Sequence, residues 1–301
     1  MAVNKIIRIS NGKEVDLTRL NEKELKRLHY IEECYIAKRL RHSRPFSEER
    51  KKIMMEGYQL VNNIMEWYLP ETNKSYGVNE ASIGLVLRLM KKTRAKVLYE
   101  AGVGRATACR IFARRGIKIY GCDIRIDSDV MKKCAAMKNV FVESKSLDSH
   151  IRTMTDDSID IFYADNVLEH IMPDEIHKIL ESVSAKLVHG GLMVLIIPNR
   201  LAGPNDVSRF FLPFGAKPRG FHFMEMSYQE TLNLFAQYGI YPCYLTLLDR
   251  KENYFIIPDQ WGVLNKIKVL LERIVSGFQN EEFKRNFFYF GAYTCYVLKK
   301  K

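Results

Sequence analysis

The chain has 301 residues, 47% of them apolar, enough for a sizeable core in one large α/β domain with additions or in two modest domains. No apolar run reaches transmembrane length, and Lys5, Arg8, Lys13, Glu14 and Asp16 interrupt the first thirty residues, so the expectation is a cytoplasmic protein with no signal peptide or transmembrane segment. The net charge of +12 favours an anionic partner without choosing among acidic peptide, nucleotide-sugar, nucleic acid and membrane surface.

The first 95 residues read as mainly helical. The stretches "NEKELKRLHYIEECYIAKRL" and "SEERKKIMMEGYQLVNNIMEWYL" carry apolar residues at three- and four-residue spacing, Ser47 marks a helix start, and Pro70 closes the second helix. A third helix is expected at 81–90. Residues 1–96 hold 20 of the 47 cations against 12 anions, so this segment carries most of the excess charge. It reads either as a solvated helical face or as a lid over a ligand, with Tyr30, Tyr35, Tyr58 and Trp67 available for contact.

From residue 95 short apolar strands alternate with helical segments. "KVLYE" precedes a helix at 105–115, then come "IKIYGCD", a helix through Met137, "NVFVES", "SIDIFYAD", a helix at 173–188 and "GLMVLIIP". "MSYQETLNLFAQYG" continues as a helix, "IYPCYLTLLD" and "GAYTCYVLKK" as strands. The pattern predicts an α/β fold: a Rossmann-like, doubly wound, mainly parallel seven-stranded sheet with its ligand at the carboxyl ends of the strands. The loops after Glu100, Asp123, Asp165 and Pro198 should therefore carry the chemistry. The expected organisation is a helical extension at 1–94 and a catalytic domain at 95–301, with a helical insertion at about 250–289. Six dispersed cysteines with no C-x-x-C pair read as reduced thiols, and no metal is predicted.

The stretch "VLYEAGVGRATACRIFARRG" decides the ligand. A dinucleotide loop wants a third glycine where Thr107 stands, and a phosphate loop wants Lys and Ser/Thr where Arg105 and Ala106 stand. What is present is E-x-G-x-G-x-A, with Glu100 ending the strand, Gly102 and Gly104 in the turn and Ala106 opening the helix. This resembles motif I of class I S-adenosylmethionine-dependent methyltransferases. Asp123, twenty-three residues on, "SIDIFYADNVLEHI" and "LVHGGLMVLIIPNR" resemble later motifs of the same family over roughly residues 95–248. The resemblance implies a Rossmann-like methyltransferase that takes S-adenosylmethionine and releases S-adenosylhomocysteine. Its cofactor residues would be Glu100, Ala101, Gly102, Gly104, Asp123, Ile124, Ser146, Leu147, Asp165, Asn166 and Val167. In that reading Glu100 faces the ligand's cationic groups and Asp123 accepts the ribose hydroxyls.

The acceptor is less constrained. The loop after strand five brings Arg200, Arg209, Arg219, His222 and Tyr228 among glycines and aromatics, a mixture suited to an anionic small molecule or peptide, and resembles methyltransferases that tailor peptides, glycans and other natural products. The first expectation is an O-methyltransferase acting on a carboxylate, such as the C-terminus of a modified peptide, oriented by Arg200, Arg209 and Tyr228. A hydroxyl of an anionic metabolite, saccharide or nucleotide-sugar is the alternative, and it would need His170 or His222 as base. His170 reads equally as a packed or capping residue. Two other classes are weaker: a nicotinamide-dependent oxidoreductase, against which Thr107 argues, and a non-catalytic nucleic-acid-binding module, which only the charge supports. Cys243 lies too late for the nucleophile of cytosine methylation, and Asp165-Asn166-Val167-Leu168 replaces the N-P-P-Y type of tetrad found in amino-methylating nucleic-acid enzymes.

Overall fold

The computed structural model describes residues 5–69, 80–248, 254–278, 280, 282–284 and 293–301. It opens on an antiparallel hairpin, β1 (Ile6–Arg8) and β2 (Glu14–Asp16), in a segment the sequence led one to expect as mainly helical. Ile7 of β1 and Leu17 just beyond β2 are buried against Leu25 and Ile64, which gives the hairpin an apolar anchor that too few residues repeat to be read as a period.

The helices α1 (Glu22–His42) and α2 (Glu48–Met65) follow. α1 begins in a capping box, in which the Asn21 side chain accepts from the Glu24 amide and Glu24 reaches back to the Asn21 amide. Ser47 caps α2 as the sequence led one to expect, its hydroxyl accepting from the Arg50 amide at 3.1 Å. Pro70, the expected stop, lies outside the described residues. Ile36, Ala37 and Leu40 of α1 pack on Ile53 and Val61 of α2 and on Met172 and Phe221 from the later part of the chain. Arg50 reinforces the contact: almost wholly buried, it donates to Asp174 at 2.8 and 3.0 Å and to Glu175 at 2.9 Å.

Helix α3 (Glu80–Thr93) leads into the sheet and lies on it, with Ile83, Leu85, Val86 and Leu89 in one apolar cluster with Leu98, Ile161 and Val194. The sheet then builds as expected, save for the short helix α6, which the sequence pattern did not indicate: β3 (Val97–Ala101), α4 (Thr107–Ala113), β4 (Lys118–Asp123), α5 (Ser128–Ala135), β5 (Val140–Ser144), α6 (Leu147–Ile151), β6 (Ile159–Asp165), α7 (Ile176–Lys186) and β7 (Leu187–Pro198). The chain continues through α8 (Tyr228–Ala236), β8 (Ile240–Leu248), β9 (Tyr254–Pro258), α9 (Val263–Ser276) and β10 (Tyr293–Lys300). The strand order is β5-β4-β3-β6-β7-β10-β8-β9. β5, β4, β3, β6 and β7 run parallel, while β10 inserts antiparallel between β7 and β8.

The sheet therefore has eight strands rather than seven. The extra strand is β9, which pairs antiparallel with β8 from Tyr244↔Pro258 to Leu248↔Tyr254. It falls in the segment predicted as a helical insertion, of which α9 is the helical part; the rest of that segment includes residues outside the described ones. No described helix is long and apolar enough to cross a membrane.

Candidate active site

The strand order reverses between β3 and β6, and the carboxyl ends of β3, β4 and β6 open there into a cavity of about 820 Å³. The glycine loop forms one wall. Gly102 has φ +69° and a Cβ there would stand 2.5 Å from Val167 Cγ2, so only glycine fits. Gly104 has φ +48° and faces open space, with nothing within 4 Å of where a Cβ would project. Its amide donates to Asp123 Oδ2 at 2.9 Å, tying the loop to the end of β4. Its other oxygen accepts from the Arg125 amide at 3.3 Å, and burial raises the Asp123 carboxyl above its ordinary range. The opposite wall is α2, through Arg50, Met54, Tyr58, Gln59 and Asn62.

A second cavity, of about 510 Å³, adjoins the first and shares Tyr58, Asn62, Asp165, Asn166 and His170 with it. Asp165 Oδ2 accepts from Ser82 Oγ at 2.9 Å and Tyr163 Oη at 3.0 Å, and Asn166 Nδ2 donates to its other oxygen at 2.8 Å. His170 Nδ1 meets the Phe221 carbonyl at 3.1 Å, and Tyr58 packs edge-on against the imidazole. Burial, with His222 adding to it, lowers the His170 pKa to about 3, so the ring is neutral at physiological pH. His222 Nδ1 meets Glu225 Oε1 at 2.6 Å. Burial pulls His222 down, but Glu225, Glu169 and Asp206 outweigh it and the net shift is upward. Glu169 is fully buried, neither carboxylate oxygen has a hydrogen-bond partner, and burial pushes its pKa to about 7.

Of the cofactor residues proposed from sequence, Gly102, Gly104, Asp123, Ile124, Ser146, Leu147, Asp165, Asn166 and Val167 line the first cavity. Glu100 and Ala101 do not. Glu100 sits behind the loop, where its carboxylate accepts from Cys109 Sγ at 2.8 Å and burial raises its pKa to about 8. β3 is a central strand covered by α4, so a side chain directed at that helix cannot also reach the cavity. Among the acceptor candidates, His170, Arg209 and His222 line the second cavity. Arg200 instead forms a half-exposed ion pair with Glu230 at 2.9 Å. Tyr228 is buried beneath Lys268 and stacked on Tyr296, its hydroxyl donating to Asn265. Of the tyrosines offered for a lid, Tyr58 reaches both cavities, whereas Tyr30 stacks on Phe211 and Tyr35 is exposed; Trp67 packs in the hairpin cluster.

The sequence reading passed over Glu33, Asn62, Glu169 and Asp206, all of which line the second cavity. Glu169 carried a local signal, since it sits beside His170 directly after the fourth parallel strand. Glu33 had none, because its place depends on α1 packing against the distant segment around Phe221, whose amide donates to Glu33 Oε1 at 2.7 Å.

A methyltransferase-domain family matches residues 99–195. No curated protein sequence matches the chain. Among solved structures, the Burkholderia thailandensis 1,6-didemethyltoxoflavin-N1-methyltransferase, crystallised with its substrate and S-adenosylhomocysteine, is 13% identical, with 71% of this chain and 90% of that one covered at a TM-score of 0.50. An S-adenosylmethionine-dependent methyltransferase of Archaeoglobus fulgidus is 17% identical over 76% and 96%, at 0.49. Geranyl diphosphate C-methyltransferase of Streptomyces coelicolor is 15% identical over 85% of each chain, at 0.45. The matched segment spans β3 to β7, and with it the glycine loop, Asp123 and the Asp165-Asn166 corner. Residues 99–195 thus match a methyltransferase domain, and the sheet around them has the Rossmann-like fold of the Burkholderia thailandensis enzyme.

Proposed function

We propose that the protein transfers a methyl group from S-adenosylmethionine, bound in the first cavity, to a hydroxyl of an uncharged small molecule bound in the second. The observation that carries this reading is the junction of the two cavities at Asp165, Asn166 and His170, which brings a glycine-cradled site against a pocket with its own polar lining. The first cavity suits the cofactor: Gly104 leaves its space open, and Asp123 offers an acceptor for paired hydroxyls. When bound, S-adenosylmethionine supplies a methyl carbon that bonds to an acceptor lone pair while the carbon–sulfur bonding pair stays on sulfur.

The chain's residues do the rest. Tyr58 and Phe221, in contact at 4.9 Å between ring centroids, give the acceptor pocket an apolar side that helps exclude water. Asn166, His170 and His222 supply polar groups on the other side. A carboxylate acceptor, the first expectation from sequence, finds less support. Arg200 and Tyr228 lie away from the pocket, and Glu33, Asp165, Glu169 and Asp206 line it against a single arginine, Arg209. A second anion would be repelled, whereas a neutral hydroxyl can donate to these carboxylates.

The test is a screen of hydroxylated, carboxylated and amino compounds with S-adenosylmethionine, read as S-adenosylhomocysteine release with mass analysis of the product. An alkali-stable methyl ether is expected. An alkali-labile ester or an N-methylated product would overturn the hydroxyl assignment.

A further inference from the structure

The buried carboxylate of Glu169 is the anomaly of the second cavity: both oxygens are enclosed and neither is hydrogen-bonded. An ionised group in that position costs several kcal/mol unless a cation or donor meets it. Two histidines converge on the same place. One donor atom from each of Glu169, His170 and His222 lies within 4.8 Å of the others, and all three residues line the cavity. The orientation of the rings is specific. His170 has its Nδ1 against the Phe221 carbonyl at 3.1 Å, and His222 has its Nδ1 against Glu225 at 2.6 Å. Acceptors at Nδ1 fix the proton there and leave each Nε2 lone pair free, which is how metal-binding imidazoles are commonly held.

We propose that Glu169, His170 Nε2 and His222 Nε2 bind one divalent transition-metal ion, and that this ion takes the acceptor's hydroxyl oxygen as a further ligand. The second clause rests on the methyl-transfer reading above; the ion site does not. Two imidazoles and one carboxylate suit zinc, iron, cobalt or manganese, whereas magnesium and calcium favour all-oxygen sets. Donors about 2.1 Å from a shared tetrahedral ion lie about 3.4 Å apart, so separations of up to 4.8 Å close by side-chain movements that shorten them by up to about 1.4 Å. An ion here answers the unpaired carboxylate and stands beside the Asp165-Asn166 corner where the two cavities meet. It would act as a Lewis acid on the hydroxyl: the proton leaves to water, the oxygen lone pair forms the new bond to the methyl carbon, and the carbon–sulfur pair stays with sulfur. This departs from the expectation of no metal, which rested on cysteine spacing alone.

The full chain, stripped with chelator and dialysed, is titrated with Co²⁺ by visible absorption and with Zn²⁺ by calorimetry, with Mg²⁺ as a control. One Co²⁺ or Zn²⁺ per chain is expected. Glu169→Gln and His222→Asn should each weaken Co²⁺ binding at least 100-fold, and Glu225→Gln, which leaves all three ligands in place, by roughly 10- to 100-fold. Circular dichroism reports whether each variant is folded; if His222→Asn is not, the nearly isosteric Glu169→Gln carries the test. No stoichiometric Co²⁺ binding by the folded wild type, or unchanged affinity in the folded ligand variants, overturns the site. S-adenosylhomocysteine binding, measured in parallel, separates the two readings. Cofactor binding without Co²⁺ binding overturns the metal site alone, and site-dependent Co²⁺ binding without cofactor binding sustains it while overturning methyl transfer.

Discussion

Gly102 and Gly104 sit two residues apart in the same loop, both with positive φ, yet an alanine at each should fail in a different way. At Gly102 the new Cβ meets Val167 Cγ2 at 2.5 Å, and the left-handed backbone adds its own penalty at φ +69°. The backbone term is about 1 to 2 kcal/mol and the overpacking term about 1 to 3 kcal/mol, so Gly102→Ala should lose about 2 to 5 kcal/mol of stability. At Gly104 only the backbone term applies, because nothing lies within 4 Å of the added carbon. Gly104→Ala should therefore cost about 1 to 2 kcal/mol of stability. That empty volume is where the cofactor is proposed to lie, so this variant should bind S-adenosylhomocysteine at least about tenfold more weakly, or about 1.4 kcal/mol. Urea denaturation gives the first quantity and isothermal titration calorimetry the second. Equal stability loss in the two variants would refute the steric argument at Val167. Unchanged S-adenosylhomocysteine affinity in folded Gly104→Ala would refute the cradle.

Asp123→Ala should weaken S-adenosylhomocysteine binding by about 1 to 3 kcal/mol in calorimetry, through hydroxyls left without an acceptor; full affinity in the folded variant would remove Asp123 from the site. Glu100 has its pKa raised by burial from the ordinary 4.5 to about 8, so its contribution to stability is fully present below about pH 4.5 and is lost as pH rises toward 8. Wild type should thus be less stable at pH 8 than at pH 6, with Glu100 accounting for about 2 kcal/mol of the difference in urea denaturation. Glu100→Gln should reduce the difference without abolishing it, because burial also raises Glu169 to about 7; an unchanged difference in the folded variant would remove Glu100 as a source. Once an acceptor is in hand, Arg209→Ala should raise its KM while Arg200→Ala leaves it unchanged, because only Arg209 lines the second cavity. A KM increase in Arg200→Ala alone would reverse that assignment.

Much of the α/β sheet is determined locally and could be read without coordinates. A buried parallel strand needs a short apolar run, each crossover needs an amphipathic helix, and the turn between β3 and α4 needs residues tolerant of positive φ; all three are statements about neighbours in the chain. That is why the strands from β3 to β8, the loop of Gly102 and Gly104, and the corner of Asp165 and Asn166 were legible. Side-chain direction was not, because it depends on what packs from elsewhere. Glu100 looked like a ligand group until α4 brought Cys109 against it. Tyr228 and Arg200 belonged to a promising loop, but Asn265 holds one and Glu230 the other. β9 became a strand only because β8 offered it an open edge. The group formed by Glu169, His170 and His222 joins an adjacent pair to a histidine more than fifty positions on, and no periodicity or short motif couples that histidine to the pair. Tertiary packing alone decided that α2 walls both cavities, that α1 delivers Glu33, and that a carboxylate beside β6 ends buried with two imidazoles for neighbours, since each depends on burying apolar faces supplied by distant parts of the chain.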